Sequence, residues 1–291
     1  MTNPSAPCCL YHQPEFQLRY QAISHNARYG HYVRIPERIC RCLAYFNVGF
    51  SHPTVRARLH AYYLFIGVVD DMLDAGRLAA GRETLKLLAN RRPVFDEATL
   101  ASNVKLVTEV LKCHISPEIY PSVLPKFAAL YEAVVRERQA ETLQAYVAQR
   151  RAVGALTAEL SYLLVRPLLA GAGDDVCRFL QQVGAVGCLI DSVIDLRADA
   201  RQGLLGFRAG LLDQLVLAGR TLGAGLRLSL KHPRMCGLFI AAIGDDLFDQ
   251  LRARARAPMS EHADNVRPRD ACVMADQRVP PPRQPVATYE S

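Results

Sequence analysis

Two clusters of aspartate close otherwise apolar stretches of this chain. The first, Asp70-Asp71-Met-Leu-Asp74, follows directly on Tyr62-Tyr-Leu-Phe-Ile-Gly-Val-Val. On a helix Asp70 and Asp74 fall one turn apart on one face, with Asp71 to the side. The second, Asp191-Ser-Val-Ile-Asp195-Leu-Arg-Ala-Asp199, ends an apolar stretch beginning at Phe179, and its aspartates stack along one stripe at i, i+4 and i+8. Like charges one turn apart repel, and carboxylates at the end of a buried helix are costly unless cations neutralise them. Hard oxygen donors in this pattern suit Mg²⁺, which keeps several waters and is held by one or two carboxylates together with phosphate oxygens. The chemistry expected of two such stations, facing each other across a helical bundle, is metal-assisted departure of a diphosphate whose charge arginine helps to neutralise. A carbocation left behind needs a dry, aromatic-lined cavity. Tyr62, Tyr63, Phe65, Tyr162, Phe179 and Phe239 are candidate lining residues.

Asp70-Asp-x-x-Asp74 resembles the first aspartate-rich motif of class I isoprenoid synthases, and its setting, with Arg56, Ala61 and Tyr63 upstream, is similar to that of squalene/phytoene synthases. The stretch from Val183-Gly184 to Asp195-Leu-Arg197-Ala-Asp199-Ala-Arg201-Gln-Gly203 resembles the second motif of that family, Asp191 standing where those enzymes usually carry asparagine. Terpene cyclases place a metal-binding triad at the same spacing as Asp191, Asp195 and Asp199. Tyr146-Val-Ala-Gln-Arg150-Arg151-Ala-Val-Gly154 resembles a bacterial cyclase pattern whose first arginine senses diphosphate and whose glycine marks a helix break.

The resemblance spans about residues 53–205. It implies an all-α, single isoprenoid-synthase-type helical bundle with a central active-site cavity and a prenyl diphosphate substrate. Metal would lie on Asp70, Asp71, Asp74, Asp191, Asp195 and Asp199, as three Mg²⁺ ions with bound diphosphate, Mn²⁺ being a substitute. Asp70, Asp74, Asp195 and Arg150 would be catalytic. Arg150, Arg151, Gly154, Arg197, Arg201, Tyr63 and Phe65 would contact substrate. Gly67 and Val68 stand where squalene/phytoene synthases place basic residues, which favours a terpene cyclase over head-to-head condensation. The alternatives are that prenyltransferase and a degenerate, non-catalytic member that binds prenyl lipid.

The elements that must carry these residues are helical. From about Glu37 to Ala257 apolar residues recur every three or four positions, and the pattern breaks at His52-Pro53, Arg92-Pro93, Ser116-Pro117, Gly171-Ala-Gly-Asp174, Gln202-Gly203 and Lys231-His-Pro233. Eight or nine helices of ordinary length are expected. The first 35 residues, with Tyr11, Phe16, Tyr20, Tyr29 and Tyr32 among His and Arg, suit either an N-terminal helix or a flap. The proline-rich stretch 258–291 reads as a disordered tail to a domain of residues 1–257. Asp245-Asp246-Leu-Phe-Asp249 repeats the first cluster's spacing, but Arg252, Arg254 and Arg256 follow it, so it reads as a solvated surface with local ion pairs.

With 291 residues, half of them apolar, the chain can bury one large core. Its formal charge of +7 is carried almost wholly by dispersed arginines, which suits bidentate contact with phosphate and argues against nucleic acid. Nine scattered cysteines lack zinc spacing and read as reduced thiols, Cys188 among them as small core packing. His60, two turns before the first cluster, reads as a core or rim residue. No basic-then-apolar leader and no run of 18 uncharged apolar residues is present, so a cytoplasmic protein without a transmembrane segment is expected, and a homodimer is compatible with it.

Overall fold

Pro53, whose fixed φ and missing N–H suit a first helical turn, opens the helix that carries the first aspartate cluster. In the computed structural model, which describes residues 13–237 and Gly244, that helix is α3 (His52–Asp74). Before it come α1 (Pro14–Ser24) and α2 (Gly30–Tyr45), joined by a 3₁₀ turn, Ala27–Tyr29. The described part of the N-terminal segment, from Pro14 on, is therefore helical. After it come α4 (Leu78–Ala89), the single turn α5 (Glu97–Leu100), α6 (Asn103–His114), α7 (Tyr120–Arg138), α8 (Leu143–Val165), α9 (Asp174–Gln202) and α10 (Leu211–Lys231). Starts are set by local chemistry: Asp96, Ser102 and Thr142 each accept a backbone N–H three residues on, the expected N-cap arrangement. The described residues are thus all-α apart from β1 (Gly49–Phe50) and β2 (Leu169–Ala170), which pair antiparallel with Gly49 opposite Ala170.

The helices pack mostly on near neighbours in the chain. α8 lies between α7 and α9, α9 between α8 and α10, and α3 between α2 and α6. A large aromatic-rich core fills the space within, and a smaller one gathers Tyr146, Leu189, Leu196 and Leu217. Tyr62, Tyr63, Phe65, Tyr162 and Phe179 are all buried in the larger one. Tyr62 meets Tyr63 and Phe127 at ring-centroid distances of 5.0 and 6.0 Å. A buried hydroxyl without a partner costs about 1–3 kcal/mol, more than the net worth of a typical hydrogen bond. Each of these tyrosines avoids that cost: Tyr62 donates to the Thr157 carbonyl at 3.1 Å, Tyr162 to that of Gly173 at 3.1 Å, and Tyr63 Oη lies 2.9 Å from Ser161 Oγ. A wholly buried ion pair sits lower in the bundle, where Lys112 Nζ lies 2.7 Å from a Glu109 oxygen that also accepts the Val94 N–H at 2.7 Å.

Gly154 does not break its helix. α8 runs through it without interruption, because the missing side chain is used for packing. A Cβ there would lie 2.2 Å from the Gly184 carbonyl oxygen on α9, and one at Gly184 would lie 2.3 Å from the Gly154 carbonyl oxygen. The two backbones touch at this crossing.

α9 is the one helix among the described residues that is long and apolar enough to cross a membrane by length and composition; it is sandwiched between two other helices. Cys40, Cys42, Cys177, Cys188 and Cys236 are free thiols, but Cys113 is disulfide-bonded, which corrects the expectation of reduced cysteines throughout. Phe239, the Asp245-Asp246-Leu-Phe-Asp249 segment and the stretch 258–291 lie outside the described residues.

Candidate active site

The first aspartates occupy the last turns of α3, and their partners come from elements remote in sequence. Tyr32 on α2 donates its hydroxyl to Asp70 Oδ2 at 2.7 Å. Gly67 makes this contact reachable: a Cβ at that position would lie 2.6 Å from the Tyr32 ring, so only a bare backbone lets the ring lie flat against α3. Tyr29 donates to Asp71 Oδ2 at 3.3 Å, and Arg28 pairs with the same carboxylate. Arg138, at the end of α7, pairs with Asp74 and donates to the Leu73 carbonyl at 2.9 Å.

The second station is anchored through Ser192, the buried neighbour of Asp191. Its hydroxyl donates to the Cys188 carbonyl at 2.8 Å and accepts from Arg150 Nε at 2.8 Å and Tyr146 Oη at 3.2 Å. That uses its one proton and both lone pairs. Arg150 Nη1 also reaches Glu137 Oε1 at 3.3 Å, and Glu137 Oε2 is buried with no hydrogen-bond partner among the described residues.

Electrostatics ties the stations together. Burial raises the Asp70 carboxyl above its usual range and Asp74 raises it further, against the Tyr32 hydrogen bond and the charges of Arg150 and Arg138. Asp199 is raised to about 6 by burial, then by Asp195, and also by Asp74 and Asp70, with Arg150 opposing. Aspartates at the end of α3 therefore act on an aspartate of α9. Tyr32, whose hydroxyl is raised first by burial, feels both Asp70 and Asp191. Burial alone would lower Arg150, but Glu137, Cys188, Tyr146 and Asp191 outweigh it and hold the guanidinium firmly charged. The site thus sets aspartates of α3 and α9 near one another, with Arg150 among them.

Several expected members stand elsewhere. Arg151 follows Arg150 but points about 100° further round α8, and lines a groove on the outer side of the helix with Arg178, Arg227 and Lys231. The expected Arg150-Arg151 fork is therefore split between two faces. Arg197 and Arg201 are exposed; two residues on from Asp195 and Asp199, they lie roughly 200° away from the aspartate stripe, and Arg201 Nε donates to the Arg197 carbonyl at 3.2 Å. Tyr63 and Phe65 belong to the packed core, and Gly154 to the α8–α9 crossing. His60 is half-buried with Nδ1 3.2 Å from the Tyr20 hydroxyl, and burial lowers its pKa, as suits a rim residue.

Tyr29, Tyr32, Arg28, Glu137, Arg138 and Ser192 were not among the expected site residues. The crowding of Tyr and Arg near residues 28–32 was the available signal; nothing in the spacing around Glu137-Arg138 marks it.

Among the described residues no group of three or more His, Cys, Asp or Glu side chains is gathered as a ready metal cage. The donor set still fits a hard divalent cation. Asp74 raises Asp70 on α3, and both raise Asp199 across on α9, the condition a bound cation relieves. No family model, curated protein or solved structure matches the chain.

Proposed function

We propose that the chain is a class I isoprenoid synthase acting as a terpene cyclase, which ionises a linear prenyl diphosphate, releases diphosphate and guides cyclisation of the carbocation. The observation that carries this reading is that Asp70 and Asp74, at the end of α3, act on Asp199 of α9, with Arg150 between them held by Ser192 and Glu137. Carboxylates from two distant segments repel one another at the end of an aromatic core, an arrangement with no evident benefit to folding. Asp70, Asp74, Asp191, Asp195 and Asp199 would hold Mg²⁺, which when bound supplies charge neutralisation to a departing diphosphate.

The chain's own groups have distinct tasks in this scheme. Arg150, kept cationic by its surroundings, offers fixed positive charge between the stations. Tyr32 holds the Asp70 carboxylate in one orientation. Arg28 and Arg138, at the same carboxylates, replace Arg151, Arg197 and Arg201 as the guanidinium forks nearest a phosphate. The core of α3 and α8 excludes water beneath them.

The test is incubation of purified protein with Mg²⁺ and each of the ten-, fifteen- and twenty-carbon prenyl diphosphates, with diphosphate release and product mass recorded. A hydrocarbon or alcohol with the substrate's carbon count is expected. A doubled carbon count would assign head-to-head condensation instead. The pairing of Asp71 with Arg28 and of Asp74 with Arg138 favours a second reading, a non-catalytic prenyl-lipid binder whose carboxylates are neutralised by the protein itself. Absence of diphosphate release from all three substrates would select it.

A further inference from the structure

Beyond the acidic stations, α8, α9 and α10 enclose a groove of about 680 Å³ on the opposite side of α8 from Arg150. Each helix gives it one stripe at helical spacing: Ala148, Arg151, Ala152 and Ala155 from α8; Arg178, Gln181, Gln182, Ala185 and Val186 from α9; Ala224, Arg227, Leu228 and Lys231 from α10. The floor is alanine and the charge is all of one sign, since four cations and no carboxylate line it. Among the described residues none of the four cations is engaged in an ion pair or side-chain hydrogen bond, whereas Arg28, Arg138 and Arg150 each are.

The cations are not evenly spread. Gln214 Nε2 on α10 donates to the Val193 carbonyl on α9 at 2.8 Å, which sets the antiparallel register of the two helices. Counting thirteen residues from each partner brings Arg227 level with Leu180, so Arg178, Arg227 and Lys231 gather within about one turn, roughly 5 Å along the helices. Arg151 stands apart, beyond the alanine floor. Like charges repel, and a phosphate, with several oxygens and a double charge, is the group that three clustered cations recognise. The volume is that of a small-molecule site, and the alanine surface beside the cations offers an apolar chain a place to lie.

We propose that this groove binds a phosphate-bearing amphiphile, its headgroup on Arg178, Arg227 and Lys231 and its hydrocarbon along Ala152, Ala155 and Ala185. The site is independent of the aspartates and stands whether or not the chain is an isoprenoid synthase. The hydrocarbon phosphate has two sources, a free single-chain phosphate or a phospholipid headgroup, and the test separates them.

Full-length protein is titrated calorimetrically with dodecyl phosphate below its micelle concentration and with inorganic phosphate, and sedimented with phosphatidylcholine vesicles with and without phosphatidic acid. Saturable binding of dodecyl phosphate, at least tenfold tighter than inorganic phosphate, is expected. It should weaken at least tenfold in the Arg178→Gln/Arg227→Gln variant and in Ala155→Phe, which fills the floor, and stay unchanged in Arg197→Gln, an exposed arginine outside the groove. Cosedimentation only with phosphatidic acid, lost in the same two variants, would identify the phospholipid as the source. Both glutamine substitutions replace exposed side chains, so the fold is retained and circular dichroism verifies it. Inorganic phosphate binding as tightly as dodecyl phosphate, or affinities unmoved by these substitutions, would overturn the proposal.

Discussion

Replacing Gly154 by alanine isolates the contact on which the relative placement of α8 and α9 depends. The new methyl carbon would start 2.2 Å from the Gly184 carbonyl oxygen and 2.7 Å from its carbon. Both partners are backbone, so no side chain can swing aside, and the helices must part by about 1 Å to restore ordinary contact. Overpacking of this kind costs roughly 1–3 kcal/mol, partly offset by the ~0.5–1 kcal/mol that alanine gains over glycine within a helix. A net loss of about 1 kcal/mol lowers Tm by roughly 2–4 °C in a chain of this size. Gly187, one turn on from Gly184 in the same helix, has nothing within 4 Å of its would-be Cβ, so Gly187→Ala should raise Tm by about 1–4 °C. Thermal unfolding followed by circular dichroism reads both variants. Equal stability of Gly154→Ala and the parent, or a loss in Gly187→Ala matching that in Gly154→Ala, would show that the backbones are not in contact and refute the reasoning. The same parting stretches the 2.8 Å Arg150–Ser192 bond, so a catalytic reading adds a fall in turnover measured as diphosphate release.

Asp70→Asn and Asp195→Asn should each abolish diphosphate release while helical ellipticity is retained; because burial and Asp74 disfavour the charged form of Asp70, Asp70→Asn should be at least as stable as the parent at pH 7, and full activity in both variants would sink the metal assignment. The Asp199 carboxyl, raised to about 6, favours the fold when protonated, so its contribution is present below about pH 4 and lost as pH rises to 6; urea titrations should show Asp199→Asn lacking this fall. His114 works in the opposite direction: burial, then Arg58 and His60, lower it to about 4, so its neutral form supports the fold above pH 6.5 and stability is lost as pH drops toward 4, a loss that His114→Phe should remove. Lys112→Met strands the buried Glu109 carboxylate and should cost about 3–5 kcal/mol, measured as a lower urea midpoint, whereas replacing both partners by apolar residues of similar volume should restore most of it.

Punctuation in the sequence located most helix ends because turn residues act locally: Pro53 opens α3, Gly203 ends α9, and Pro93 and Pro117 lie in the connections before α5 and α7, although Pro36 and Pro125 sit within α2 and α7. The aspartate clusters were legible for the same reason, since three carboxylates on one stripe conflict with their own helix before any tertiary contact forms. Their partners were not legible. Tyr32 and Arg138 reach Asp70 and Asp74 only because α2 and α7 pack beside α3, and the local spacing of neither residue reports that packing. Gly154 illustrates a subtler limit, as a helical glycine marks a break or a close crossing with identical local sequence, and only the neighbouring Gly184 decides. Adjacent arginines posed a related problem: Arg150 and Arg151 differ by one step of rotation, and the sequence does not say which of them faces the carboxylates.

The small antiparallel bridge between Gly49–Phe50 and Leu169–Ala170 gives α3 and α9 a common origin. Counted from their first residues, His52 and Asp174, Asp70 and Asp191 lie roughly 27 and 26 Å along their helices, and Asp74 and Asp195 roughly 33 and 32 Å, at 1.5 Å per residue. Two rulers laid from one mark thus read the same at both graduations. Inserting a single alanine between the bridge and either cluster would slide that ruler by about 1.5 Å and turn its graduations by about 100°, a change the hydrophobic pattern tolerates far less gracefully in α3, buried on nearly all sides, than in α9.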